Sequence, residues 1–341
     1  MESSLVYFKD LFSKGATRNS RAQQKPVSPF WVMVRKEAGD HIRSWRFIVM
    51  LMLIVLTFLG SMYVSVGNIG KAVTNMKDPD RLFVYLKLLT VSDGTLPTFH
   101  IFISFLGPLL GIALGFDAVN AEQNNGTLTR LMAQPVYRDN VLLAKFCGAL
   151  LVVSILFLSL VLLMIGAGLI ITGAPVEGVE LLRILAFIVL SIIYVGFWLS
   201  LAICLSVCFR HAATSALTTI GIWLFFTVFY QIIVNLVVRA MLPDSGYLQP
   251  EEMLSYNNLL LSLLRFAPSQ LYTDAATTLL MPSVRSLGPL TVEQMAGAIP
   301  SPLPFKESLM IVWPQVTGLL AATMVCFALT YYLFMRREIR T

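Results

Sequence analysis

Charge is scarce in this chain. Asp, Glu, Lys and Arg make up only 13% of its 341 residues, while apolar residues make up 57%; soluble domains carry about a quarter charged residues. Six stretches hold no Asp, Glu, Lys or Arg at all: 47–66, 96–116, 146–172, 184–209, 211–238 and 308–335. Each is long enough to span a bilayer, which excludes a soluble enzyme. Several run to about 27 residues, roughly 40 Å of helix against a hydrocarbon core of about 30 Å, so they tilt or project beyond the lipid.

Other absences narrow the chemistry. Cysteine is rare, and Cys147, Cys204, Cys208 and Cys326 all fall inside apolar stretches, so no extracellular disulfide framework is available. Cys204 and Cys208 share a helix face at i, i+4 and read as small buried hydrophobes rather than a metal pair. The histidines His41, His100 and His211 are dispersed and support no metal site. There is no G-x-x-x-x-G-K-[ST] phosphate loop, no H-E-x-x-H, no nucleophile elbow and no pair of carboxylates placed for acid–base work, so the chain has no ATP-hydrolysing machinery of its own. Catalytic and metal residues are therefore not expected. The apolar stretches also lack an acid of the kind that ion-coupled carriers place at mid-membrane. That weighs against a secondary carrier or ion channel. No secretory signal is expected either: Glu2, Lys9, Asp10 and Lys14 interrupt the start, and no apolar core precedes residue 47. The first span is expected to be an uncleaved anchor.

What charge there is has a pattern. With both termini on the cytosolic side, segments 1–46, 117–145, Arg210 and 336–341 hold 16 of the 25 basic residues and 8 of the 19 acidic ones. That bias is the one expected of cytosolic loops. The net charge of +6 then reflects membrane orientation and not a nucleic-acid partner. The expected fold is an all-α integral membrane protein with six transmembrane helices in the cytoplasmic membrane, both termini cytosolic.

The organisation follows. Residues 1–29 are a basic flexible tail, in which Leu5, Phe8, Leu11 and Phe12 can form a short interfacial helix. Residues 30–46 predict an interfacial amphipathic helix. Trp31, Val34, Ala38, Ile42 and Trp45 share an arc of about 80°, with Arg35, Lys36, Asp40, Arg43 and Arg46 opposite. The membrane domain is 47–335, followed by a cytosolic tail at 336–341. An outer loop, 67–95, contains Asp78-Pro79-Asp80 ahead of the apolar stripe Leu82, Phe83, Leu86 and Leu89, which predicts a short helix. Gly107, Gly111 and Gly115 recur every fourth residue beside Pro108. Small residues so spaced let helices approach closely in lipid, for packing or along a transport path. The outer segment 239–307 predicts a helix opened by Pro250-Glu251-Glu252, a second from Pro268 through Leu280, and a loop cap at 283–307. Gln231, Asn235 and Arg239 lie at i, i+4, i+8 near the outer end of the fifth span. They can line an outer vestibule or hydrogen-bond between helices.

The polar segment between spans two and three reads FDAVNAEQNNGTLTRLMAQPVYRDNVLLAKFCG over 116–148. Asn125-Gly126 can turn, Thr127 can cap, and Leu128, Leu131 and Met132 give a short helix one apolar face before Pro135 ends it. Periodicity alone fits a docking helix and a plain connecting loop equally well.

The residue pattern resembles the first cytoplasmic loop of type-2 ABC transporter permeases. The matches are Phe116, Asp117, Val119, Glu122, Gly126, Thr127, Leu128, Leu131, Pro135, Val136, Arg138, Val141, Leu142, Leu143, Lys145 and Gly148. Gln123 and Asn124 replace the usual Arg-Glu, Tyr137 replaces Ser, and Ala144 replaces Gly. The run Arg35-Lys36-Glu37 … Asp40 … Arg43-Ser44 … Arg46-Phe47 is similar to the family's entry motif. The stretch from Arg265 to Pro282 is similar to the segment before the last span, with Ala267 for Ser. Within the family the chain is similar to the permeases of nitrous-oxide-reductase maturation transporters.

The resemblance implies a permease of an ATP-driven exporter. ATP and Mg would sit on a separate ATPase subunit, present in two copies beside two permease chains, as a homodimer or heterodimer. It implies a coupling helix near 127–134, with Glu122, Gly126, Thr127, Leu128, Leu131, Met132 and Arg138 at the ATPase contact. The alternative function is a non-transport membrane anchor or mechanical transmitter that uses the same ATPase coupling.

Overall fold

The computed structural model describes residues 28–74, 83–92, 94, 96–127, 137–241, 250–282 and 302–336. Among them there is no strand, and six helical runs are long and apolar enough to cross a membrane.

Helix α1, Pro29–Arg43, starts with proline in its first turn, where the missing amide costs no hydrogen bond. Ser44 ends it: the backbone turns extended and the hydroxyl donates to the His41 carbonyl at 2.8 Å. The chain re-enters helix at once as α2, Trp45–Thr74. A short α3, Val84–Thr90, precedes α4, Phe99–Gly115, and the one-turn α5, Asn120–Asn124. Helix α6, Arg138–Thr172, stops at Gly173, whose φ of +67° is open only to glycine without strain. Helix α7, Gly178–Cys208, opens with a reciprocal cap between Glu177 and Glu180. The fifth crossing has three parts: α8, Ala212–Leu224, a π-helical turn at Phe225–Phe229, and α9, Tyr230–Met241. Then come α10, Pro250–Leu264, α11, Pro268–Leu280, and α12, Phe305–Arg336.

Helix α7 is the axis of the fold. It packs on α4, α12, α11, α6 and α8. In its apolar window 67% of residues are buried, against 11% for the α8–α9 crossing and 17% for α12. The last two leave most of their apolar surface open to lipid or to another chain.

The α4–α7 contact explains the fourfold glycine spacing. A Cβ on Gly111 would stand 2.8 Å from the Val195 carbonyl oxygen and 3.0 Å from the Leu199 amide nitrogen. One on Gly115 would stand 2.8 Å from Ala202 Cβ. Gly107 is looser, 3.3 Å from a Val195 methyl. The stripe thus seats backbone on backbone within one chain.

Helix α1 packs on α6. Gly148 makes room for it, since a Cβ there would lie 2.9 Å from Glu37 Cβ and 3.2 Å from the Val34 carbonyl. The apolar arc of α1 is consequently split, not one continuous lipid-facing surface. Val34 and Ala38 are buried against α6, whereas Trp31, Ile42 and Trp45 stay exposed.

Candidate functional site

The polar loop after α4 is tied to three helices, α2, α6 and α7, and to the turn that follows α7. Two backbone amides at the start of α5, those of Val119 and Asn120, donate to Ser206 Oγ of α7 at 3.0 and 3.2 Å. These are donors that a helix start leaves without intrahelical partners. Asn124 donates to the Arg210 carbonyl at 2.9 Å. Asp117 pairs with Arg46 of α2, whose guanidinium also lies 4.7 Å over the Phe116 ring.

Lys145 is the centre of the site. It lies two turns into α6 with 6% of its side chain exposed. Its ammonium stands 2.7 Å from Glu122 Oε1 and 3.1 Å from Glu37 Oε2. Lys36 adds a contact to Glu37 at 3.2 Å and reaches Asp40 at 3.5 Å. Two ammoniums, of Lys36 and Lys145, thus meet three carboxylates, of Glu37, Asp40 and Glu122. A buried cation of this kind is tolerable only when so paired. Burial opposes charge on Glu37, but Lys145 and Lys36 outweigh it and hold the carboxyl below its ordinary range. Burial pushes the nearby His41 imidazole below its ordinary value, against the pull of Glu37.

The residues expected at the ATPase contact are distributed as follows. Glu122 is in the ion cluster. Gly126 has a φ of +68°, and Thr127 Oγ1 donates to the Glu122 carbonyl at 3.1 Å. Arg138 is the first residue of α6. Leu128, Leu131 and Met132, with most of the proposed helix 127–134, lie outside the described residues. Gln231, Asn235 and Arg239 are on α9, away from this loop in the chain. Asn235 and Arg239 are exposed, and the Asn235 amide donates to the Gln231 carbonyl at 2.7 Å.

Sequence reasoning did not pair Lys145 with Glu37 and Glu122, or Asp117 with Arg46. A signal existed. Each is a charged residue of a recognisable motif set against an apolar span, and such charges require partners.

A second polar cluster lies at the opposite end of α7. Arg183 is fully buried and donates to the Leu279 carbonyl and Ser308 Oγ, both at 3.1 Å, and to the Leu303 carbonyl at 2.5 Å. It binds α11 and the start of α12 to α7. Nearby, Tyr194 and Tyr272 stack with centroids 4.4 Å apart, and the Tyr272 hydroxyl is 3.1 Å from Ser191 Oγ. Among the described residues no group of three His, Cys, Asp or Glu side chains is placed to hold a metal ion.

Neither cluster places a nucleophile and a base together. Both join helices, and the first joins them to a loop. It holds that loop to α1 and α6, while Arg46 and Ser206 hold it to α2 and α7.

The model of the family described as "ABC-2 family transporter protein" matches residues 31–339. A Stutzerimonas stutzeri protein named "Probable ABC transporter permease protein NosY" is 26% identical over 301 residues, covering 86% of this chain and 97% of that protein. Its Pseudomonas aeruginosa namesake is 25% identical over 246 residues, 71% of this chain and 79% of that protein.

Proposed function

The chain belongs to the ABC-2 transporter family, and on that premise we propose that it is the permease of an exporter driven by a separate ATPase subunit. The observation that carries the coupling is the Glu122–Lys145–Glu37 cluster. It makes the loop after α4, the base of α6 and helix α1 one mechanical unit. ATP and its magnesium sit on the partner ATPase, and their binding and hydrolysis supply the movement. The segment 127–134, with Leu128, Leu131 and Met132 on one face, docks on that subunit. Displacement there reaches α6 through Lys145, α2 through Arg46 and α7 through Ser206.

The charge bias sets this loop and both termini on the cytosolic side of the cytoplasmic membrane. The partner set is two ATPase subunits and a second permease chain, a copy or a similar protein. The uncovered α8–α9 face supports the second chain. Asn235 and Arg239 are polar side chains on an apolar crossing, exposed on this chain. Such groups face protein or a water-filled path rather than lipid.

The test is reconstitution with a candidate ABC ATPase subunit from the same organism. Co-purification, and hydrolysis in proteoliposomes that changes when this chain is included, is the expected result. An ATPase that neither co-purifies nor responds would overturn the proposal.

A further inference from the structure

A groove of about 630 Å³ opens where α1 crosses α6. Trp31, Val32, Val34, Arg35 and Ala38 line it from α1, and Leu151 lines it from α6. The volume is within the range of about 300–1,000 Å³ typical of small-molecule sites. Among the described residues its walls are apolar but for Arg35, and no acid lines it. Arg35 is exposed and makes no ion pair among the described residues. Its neighbour Lys36 is occupied by Glu37 and Asp40. Trp31, at the rim, is 58% exposed.

The depth of the groove follows from helix length. Helix α6 has 35 residues, about 52 Å at 1.5 Å per residue. Gly148, where α1 crosses, is ten residues from its start at Arg138. The part beyond the crossing is roughly 36 Å long, enough for a hydrocarbon core of about 30 Å. The crossing is therefore at the membrane boundary. Leu151, one turn further on, is at acyl-chain level, and Arg35 is at phosphate level.

We propose that this groove binds one anionic phospholipid. The phosphate pairs with Arg35, the Trp31 ring sits at headgroup depth, and an acyl chain lies along Ala38 and Leu151. A zwitterionic lipid offers the same phosphate, but its ammonium finds no acid in the lining. The lipid fills the angle between α1 and α6, beside Glu37 and Lys145, and so steadies the helix that the ion cluster holds. The proposal rests on the chain spanning a membrane and not on its coupling to an ATPase.

The test uses the full chain in nanodiscs of phosphatidylcholine with a minor fraction of phosphatidylglycerol, followed by native mass spectrometry. One phosphatidylglycerol should be retained in preference to phosphatidylcholine. Arg35→Gln should reduce that preference about fivefold, the size of one basic contact near a membrane surface, and Arg35→Lys should restore most of it. Leu151→Trp should expel the lipid by filling the groove. Arg43→Gln, on the same helix but outside the groove, should change nothing. Equal losses in Arg35→Gln and Arg43→Gln would show diffuse attraction and overturn the site. So would equal retention of both lipids, retention unaffected by Leu151→Trp, or a protein segment found in the groove by cross-linking.

Discussion

Glu37 and Lys145 are 108 residues apart in the chain and 3.1 Å apart in space. The contact is possible because Gly148, one turn beyond Lys145, has no side chain to keep α1 away. Glu122 takes the other side of the same ammonium at 2.7 Å. One lysine therefore joins the α1 motif to the loop that follows α4.

Lys145→Met should destabilise the chain strongly. It leaves the largely buried Glu37 and Glu122 without their shared cation, Glu37 keeping only the exposed Lys36, and breaking a buried pair from one side typically costs about 3–5 kcal/mol. Adding Glu37→Gln and Glu122→Gln should recover most of the loss, because the uncompensated charges are gone. Thermal unfolding in detergent measures both. A Lys145→Met protein as stable as the parent would mean the cluster contributes nothing.

Acidification should weaken the α1–α6 contact in two windows of the same sign. The His41 pKa is depressed, so the unfolded chain takes up its proton first, and stability falls as pH drops below about 6.5. Glu37 is held below 4.5, so its contribution is complete above that value and disappears as pH falls through its folded pKa. His41→Phe should remove the first phase and Glu37→Gln the second. Hydrogen exchange of α1 amides against pH reads each phase, and a profile identical in all three proteins would contradict the assignment.

Gly111→Leu should cost at least the 1–3 kcal/mol or so typical of overpacking, because even a Cβ meets the Val195 carbonyl at 2.8 Å. Gly115→Ala should be damaging too, since its neighbour is Ala202 Cβ at 2.8 Å. Gly107→Ala should be mild, as a Val195 methyl can yield a few tenths of an ångström. The order of melting temperatures tests the packing, and an inverted order would refute it.

The six crossings were legible because long uncharged stretches have few physical solutions other than a membrane span. Their ends were not. Helix α2 continues to Thr74, beyond the last apolar residue expected, and α7 takes in Arg183 and Glu180. A sequence counts Arg183 as charge to be kept outside. The structure buries it because two carbonyls and a hydroxyl receive its donors. The glycine spacing told of a close neighbour but not that α7 is that neighbour, since any helix could fill the space. The π-helical turn at Phe225–Phe229 left no compositional mark. At the candidate site, Glu122 and Lys145 were visible as motif members. Their joint pairing with Glu37 was not, because sequence distance carries no information on which charges meet.

Leu131→Asp should separate ATP hydrolysis from transport while leaving insertion intact. The i, i+3, i+4 spacing of Leu128, Leu131 and Met132 predicts an apolar face for the 127–134 segment, and a carboxylate there cannot enter an apolar groove without a partner. Reduced ATPase co-purification at unchanged chain abundance is the expected reading. Normal co-purification and normal activity would remove the docking role from this face.

The orientation can fail independently of all of these. Segments assigned to the cytosol carry 16 of 25 basic residues, and such an excess sets the sidedness of short loops. A single cysteine at Ser286 should therefore react with an impermeant thiol reagent applied from outside intact cells. One at Asn125 should react only after the membrane is opened. The native cysteines need replacing first, since Cys208 is exposed. Asn125 follows directly on α5, whose last residue Asn124 is bonded to the Arg210 carbonyl. A cysteine at Arg210 should therefore label with Asn125 and never with Ser286. The reverse pattern at all three sites would turn the whole arrangement over, and with it the side from which an ATPase could reach Glu122 and Lys145.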